Sequence, residues 1–380
     1  MKICFFSDLF YPFVGGGESY LINIETRLVQ LGHEIIHITT KLPGSKESEA
    51  YKNIQIYRIP VLTKNYMKGR FLFPFLAFKE IKKFKEVDLV HVTTYPAAVT
   101  GWLFGELVGK PKVLFCHEFF RDFWCYMRTN ILVKKIYPFV EDYIGRCPYD
   151  WFVCPSEFSK KTLIDAGAPR TKITVAYHGI DPIFNPRVSG KDLRKKLKLE
   201  DKLVFGFTGR LSDFGQKGIP YLLEATKLVV NEIPEAVLVL GGTGFEKVRP
   251  LIEKLKIKDH VVYAGKRPFK EVPKFYAMCD IVVGASIAEG FGFMYAEASR
   301  CGKAVVATNT GSIPEIILNG KTGILVPPRD SKALADAIIE LLADKEKARK
   351  MGEKGAEYTK KFTWENSVKK HLEVYEKLLG

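Results

Sequence analysis

A chain of 380 residues is too long to fold around one core, and two domains are the expected division. With 47% hydrophobic residues and no low-complexity run it is not a disordered chain, and no apolar stretch reaches the roughly 18 residues of a spanning helix. The net charge of +15 calls for an anionic partner.

The opening stretch, Lys2 to Asp8, has no small-residue cleavage pattern and reads as a first strand, not a signal peptide. Strand Ile3–Phe6 leads to Gly15-Gly16-Gly17-Glu18 and a helix from Ser19 to Gln30. Strands follow at His33–Thr40, Ile54–Ile59, Asp88–Val92, Lys112–Cys116, Trp151–Val153 and Ile173–Val175. Strands spaced by helices mean βαβ units and a parallel sheet. The prolines around Asp181 to Arg187 read as a linker, and the alternation restarts after the charged stretch Lys191 to Lys202. Strands are expected at Leu203–Phe207, Ala236–Leu240, Val261–Tyr263, Ile281–Val283, Ala304–Val306 and Ile324–Val326. The last helix, Trp364 to Leu379, is amphipathic. The fold class is therefore α/β, two Rossmann-like doubly wound domains whose ligands sit beyond the carboxyl ends of the strands. The seven cysteines (Cys4, Cys116, Cys125, Cys147, Cys154, Cys279, Cys301) contain no Cys-x-x-Cys pair, so neither zinc nor a disulfide framework is indicated and a cytoplasmic chain is expected.

The stretch Asp280 to Cys301 carries the most chemistry. Between the strand Ile281–Val283 and a helix Phe293–Arg300, the turn Glu289-Gly290-Phe291-Gly292 uses two glycines to remove bulk. Such a turn aims backbone N–H groups and a helix N-terminus at one spot, which suits an anion. Glu289 and Glu297 flank it, and carboxylates accept from hydroxyls but repel phosphate. A nucleotide-sugar meets both demands; the bland alternative is a surface acid and a helix acid with no shared role. Near the end of the strand Leu203–Phe207, Gly209-Arg210 and then Lys217-Gly218 bring a planar fork and a point charge to what reads as a diphosphate site.

The spacing Glu289-x7-Glu297 around Gly290-Phe291-Gly292 resembles the signature of the retaining glycosyltransferases of the GT-B fold, family 4 (group 1). The resemblance covers nearly the whole chain and is strongest from Gly209 to Val326. It implies that Glu289 contacts the donor sugar and Glu297 the ribose, with Phe293 at the helix start. Arg210 and Lys217, beside Gly209, lie on the diphosphate. His117, directly after a strand, lines the donor sugar, so Glu289, Arg210, Lys217 and His117 are the expected catalytic residues. The stretch Phe6 to Ser19, with Gly15, Gly16, Gly17 and Glu18, is similar to the first loop of phosphatidylinositol-directed members. Glu18 read by itself is equally an ordinary first-turn acid. Gly242 and Thr243 approach the base or form a plain turn, and Lys266 and Arg267 stand where the family reads the base. His178-Gly179-Ile180-Asp181 matches a hinge motif. The resemblance also implies that the last helix crosses back onto the N-terminal domain, so the expected domains are 1–183 with 364–380, and 184–363.

No metal site and no cofactor are expected: the chain has no Asp-x-Asp, and a UDP- or GDP-sugar is the substrate. No nucleophile is evidently paired with a second acid, which agrees with the front-face attack favoured for the family. Asn319-Gly320-Lys321-Thr322 is not a P-loop, because Glu315 stands where the first glycine belongs. A dinucleotide dehydrogenase would need Gly-x-Gly-x-x-Gly after the first strand. An epimerase on the same fold would need acids and bases not evident in the sequence. A basic binding protein without catalysis would explain the charge, but no nucleic-acid module is present. Two clusters mix aromatics and cations: Phe71 to Lys85, with Lys79, Lys82, Lys83 and Lys85, and Phe119 through Arg128 to Phe139. Either they pack on the sheet or they face an anionic membrane. With the charge, they favour a lipid or lipid-linked acceptor over a soluble sugar, and peripheral attachment at the inner membrane face.

Overall fold

The computed structural model describes residues 1–13, 15–61, 73–80, 84, 86–126 and 130–380. They divide into two compact units: Met1–Arg121, Ile136–Gly179 and Thr363–Gly380 in the first, Asp122–Lys135 and Ile180–Phe362 in the second.

Up to residue 179 the chain runs β1 (Lys2–Phe6), α1 (Gly16–Gln30), β2 (Glu34–Thr40), β3 (Ser48–Tyr51), β4 (Ile54–Ile59), α2 (Phe73–Glu80) and β5 (Leu89–Thr93). It continues with α3 (Ala97–Val108), β6 (Lys112–Phe115), α4 (Ile131–Arg146), β7 (Trp151–Cys154), α5 (Glu157–Asp165) and β8 (Ile173–Val175). The strands form one sheet in the order β3-β4-β2-β1-β5-β6-β7-β8. All neighbours are parallel except β3, which runs antiparallel to β4 at the edge. Cys4–Phe6, Leu89–Val90 and Val113–Phe115 are fully buried, as strands covered by helices on both faces must be. The edge strand β3, Ser-Glu-Ala-Tyr, has no apolar run and leaves no sequence signal. Strand order reverses between β1 and β5.

The second unit runs α6 (Lys191–Lys196), β9 (Leu203–Arg210), α7 (Ile219–Glu232), β10 (Ala236–Thr243), α8 (Phe245–Leu255), β11 (Val261–Gly265), α9 (Val272–Met278) and β12 (Ile281–Gly284). Then come α10 (Phe293–Arg300), β13 (Ala304–Thr308), α11 (Ile313–Ile316), β14 (Gly323–Val326), α12 (Ser331–Ala343) and α13 (Lys345–Tyr358). Its parallel sheet has the order β11-β10-β9-β12-β13-β14. The reversal lies between β9 and β12, and it is there that an open α/β sheet leaves a crevice for ligand.

The last helix, α14 (Trp364–Leu379), belongs to the first unit and packs on α1. Thr363 caps it by accepting from the Asn366 N–H at 3.1 Å. Three buried contacts hold it. Tyr20 donates to His371 Nε2 at 2.6 Å, Tyr375 meets His91 Nδ1 at 2.8 Å, and Trp364 lies so close to Gly179 that a Cβ there would collide with its backbone. The expected return of this helix is thus realised inside the first unit.

Three expectations need correction. Helix α1 begins at Gly16, not Ser19. Strand β10 does not end at Leu240: Gly241, Gly242 and Thr243 pair with Thr208, Gly209 and Arg210, so they are strand and not turn. In the aromatic clusters, Phe119 and Phe120 are buried, whereas Phe75 and Phe139 are exposed. The side chains of Lys79, Lys82, Lys83 and Lys85 lie outside the described residues.

Candidate active site

In the second unit, β12 is a run of four fully apolar or glycine residues, Ile281 to Gly284, all buried. The chain leaves it through Ala285 to Gly292 and enters α10, with Gly292 as N-cap at φ +85°. The turn is sewn down from several sides. Ser286 Oγ donates to Glu289 Oε1 at 2.7 Å, and Tyr295 donates to Ser286 Oγ at 2.8 Å. Thr310 Oγ1 donates to the Ile287 carbonyl at 2.7 Å, and the Ser312 N–H to the Glu289 carbonyl at 3.1 Å. Gly311, at φ +57°, lies against Glu289, so a side chain there would displace it.

The loop after β9 comes to the same place. The Ile287 N–H donates to the Gln216 carbonyl at 2.7 Å, and Gly218, at φ +60°, is packed against the Ala285 carbonyl. This seats Lys217, whose ammonium pairs with Glu289 Oε1 at 2.7 Å across 72 residues of sequence. Glu289 is only 7% exposed, so its charge needs this compensation. The two loops leaving the central strands β9 and β12 therefore converge at the reversal of strand order. Arg210, the last residue of β9, is exposed at that end, with its backbone paired to Thr243.

Glu297, on α10, has a partner of its own. Its Oε2 accepts from Tyr276 of α9 at 2.8 Å, and burial pushes its carboxyl up to about 8 against the opposing pull of that hydroxyl. Gly290 and Phe293 stand with Gly292 around the start of α10. Phe291 does not offer its side chain: it is buried edge-on between Phe293 and Phe362. At the sheet edge Tyr263 of β11 donates to the Gly242 carbonyl at 2.7 Å, and Gly265 is the partner of Gly241. Lys266 follows, exposed, and Arg267 bonds Glu271 at 3.4 Å.

In the first unit Gly17 and His117 meet. A Cβ on Gly17 would lie 3.2 Å from His117 Nε2, so the glycine lets the ring close on the start of α1. Burial pushes His117 down to about 4, which makes it a neutral imidazole at pH 7. Gly15 is the N-cap of α1, and Glu18 folds back over it in the helix's first turn, as an ordinary first-turn acid does. Beneath this loop lies a network the sequence does not announce. Ser7 Oγ donates to the Leu9 carbonyl at 2.7 Å and contacts His37 Nε2 at 2.8 Å, while His37 Nδ1 meets Glu25 Oε1 at 2.7 Å. Glu141, also buried, accepts from the Tyr95 hydroxyl and from the Phe120 and Arg121 N–H groups, and so shapes the segment that follows His117. Ser7, Glu25 and Tyr276 bear no mark in the sequence because their partners His37 and Glu297 stand 12 to 30 residues away; Ser286 and Tyr295 bear none because a serine and a tyrosine near a turn carry no pattern of their own.

A family model described as glycosyl transferases group 1 matches residues 189–358, and one described as glycosyltransferase family 4 matches residues 14–184. The chain belongs to this family. This glycosyltransferase is 27% identical to the N-acetyl-alpha-D-glucosaminyl L-malate synthase of Bacillus anthracis, over 96% of its own length and 94% of the other. It is 30% identical to a GDP-mannose-dependent alpha-(1-6)-phosphatidylinositol monomannoside mannosyltransferase of Mycobacterium tuberculosis, over 57% of its own length and 58% of the other. In fold it is similar to sucrose-phosphate synthase from Thermosynechococcus elongatus, with a TM-score of 0.84, 21% identity and coverage of 99% and 98% of the two chains. The fold is GT-B, and the enzyme moves a sugar from a nucleotide-sugar to an acceptor. Among the described residues no helix is long and apolar enough to cross a membrane.

Proposed function

We propose that the second unit binds the nucleotide-sugar at the junction of the β9 and β12 loops and that transfer proceeds with retention at the anomeric carbon. The observation that carries this reading is the Lys217–Glu289 pair, 2.7 Å long and fixed at the reversal of strand order. Arg210 and Lys217 oppose the negative charge that develops on the departing diphosphate, aided by the N–H groups of Gly290 to Phe293 at the start of α10. The bond from the anomeric carbon to the diphosphate oxygen breaks, a bond to the acceptor oxygen forms, and the acceptor proton passes to the leaving phosphate. Glu289, paired with Lys217, accepts from sugar hydroxyls. Glu297 accepts from the ribose, and the backbones of Gly209, Gly242, Thr243, Lys266 and Arg267 line the base and diphosphate side. In the first unit His117 stands as a neutral imidazole against Gly17.

The cations and the helix end supply the charge compensation that a divalent ion provides elsewhere, so transfer is metal-independent. The acceptor hydroxyl belongs to a lipid-linked molecule at the inner membrane face. The phosphatidylinositol monomannoside named for the mycobacterial relative and the aromatic-rich first unit support this over the small-molecule product named for the Bacillus relative. Proton NMR of the glycoside formed from an α-linked donor, in the presence of EDTA, tests the reading. An α-product formed at the full rate is expected. A β-product, or activity that returns only with magnesium or manganese, contradicts it.

A further inference from the structure

Helix α4 leaves a large apolar face exposed. Of its 16 residues only Glu141, Ile144 and Gly145 are buried, all in the last two turns. Facing away from them are Leu132 (60% exposed), Ile136 (45%), Phe139 (75%) and Tyr143 (55%). Their spacing of four, three and four residues places all four on one narrow stripe of the helix. Four large apolar side chains together on one helix face differ from the scattered exposed leucines of any surface and mark an interaction surface.

The charges around the stripe are of one sign. Glu141 is inside, bonded to Tyr95 and to the Phe120 and Arg121 N–H groups. Asp142 is paired with Arg121. The remaining charges on the helix are Lys134, Lys135 and Arg146, all basic. Lys135 and Arg146 follow one edge of the stripe. Lys134 lies on the opposite face of the helix and donates to the Cys125 carbonyl at 2.9 Å.

We propose that this face of α4 is a membrane-docking surface, with Ile136, Phe139 and Tyr143 entering the headgroup boundary of an anionic bilayer and Lys135 and Arg146, at the edge of the stripe, meeting its phosphates. This deepens the reading of a lipid-linked acceptor, and rests on it for its purpose. An aromatic and aliphatic stripe beside cations is the pattern of a helix lying in a membrane interface. The four-three spacing also fits a helix of a second copy. In such a pair, however, both helices would bring the same two cations and no exposed acid to answer them, whereas anionic lipid complements them.

The test is co-sedimentation of the full chain with vesicles of phosphatidylcholine, alone or mixed with phosphatidylglycerol, alongside sedimentation velocity without lipid. The variants are Ile136→Ser/Phe139→Ser/Tyr143→Ser and Lys135→Gln/Arg146→Gln. These substitutions are on exposed positions, and release of nucleoside diphosphate from a soluble donor serves as the folding control. The wild type should bind the mixed vesicles and not phosphatidylcholine alone, and binding should weaken with salt. The triple variant should lose about tenfold or more in partitioning, and the double variant should lose most of the preference for anionic lipid. Equal binding by wild type and triple variant overturns the proposal. So does a wild-type dimer that the triple variant dissolves without any change in vesicle binding, which would give the face to a second copy. Vesicle binding that depends on α4 in a protein turning over no nucleotide-sugar would leave this surface standing and remove the proposed function instead.

Discussion

At Glu297 burial outweighs the hydroxyl of Tyr276, so the carboxyl reaches about 8 and is mostly protonated at neutral pH. Ribose hydroxyls donate best to the ionised form. The KM for donor should therefore fall as pH rises through about 8, with kcat changing less, and Glu297→Gln should flatten that dependence in a KM-versus-pH profile. A second carboxyl, Glu25, is governed by the same physics in a different place. Ser7 Oγ spends its proton on the Leu9 carbonyl, so His37 Nε2–H must donate to Ser7. Burial raises Glu25 and lowers His37, and the two settle as a neutral acid donating to a neutral imidazole. An amide N–H can replace a carboxylic O–H there. Glu25→Gln should cost less than about 1 kcal/mol in urea unfolding, whereas Glu25→Ala should cost about 3 kcal/mol. Near-equal losses would mean that the negative charge, not the donor, is required.

Strands β9 and β10 end at the proposed donor site, and glycines allow them to approach there. Gly242 sits at φ +113°, with Gly209 so near that any Cβ would collide with its carbonyl. Gly265, at φ +80°, has open space around it. Gly242→Ala should cost about 3 kcal/mol and abolish transfer, whereas Gly265→Ala should cost only about 1 kcal/mol, both read from thermal unfolding. Most of these elements were legible in the residues themselves. Ile281–Val283 is an apolar β-branched run that a buried parallel strand requires, and Phe293–Arg300 changes to helix formers at the boundary the structure shows. What could not be read depended on remote partners. Phe291 is claimed by Phe362, Gly241 to Thr243 by the register of β9, and Glu297 by Tyr276. The edge strand β3 had no pattern to read because its residues are polar and half-exposed.

The first unit is closed by the chain's last residues, which makes its stability depend on pH. His91, His178 and His371 are held neutral by burial, and His371 is pushed down to about 4. A histidine depressed in the folded state stabilises fully above its unfolded value, about 6.5, and loses that contribution as pH falls toward the folded value. The unfolding midpoint of the first unit should therefore drop between about pH 6.5 and 4, with up to about 3 kcal/mol at stake for His371. Chemical denaturation across that range, with Tyr375→Phe as a weakened reference, checks it. The central claim for the whole molecule is that a nucleotide-sugar is activated by Arg210, Lys217 and Glu289 in the second unit. Its most direct test is nucleoside diphosphate release across UDP-, GDP- and ADP-sugars, comparing the wild type with Glu289→Ala and Arg210→Ala. The account predicts turnover with at least one of these donors and a loss of about a hundredfold in each variant, roughly 2.7 kcal/mol of transition-state stabilisation. No turnover with any donor, or a variant retaining more than about a tenth of wild-type turnover, a loss under about 1.4 kcal/mol, would contradict it.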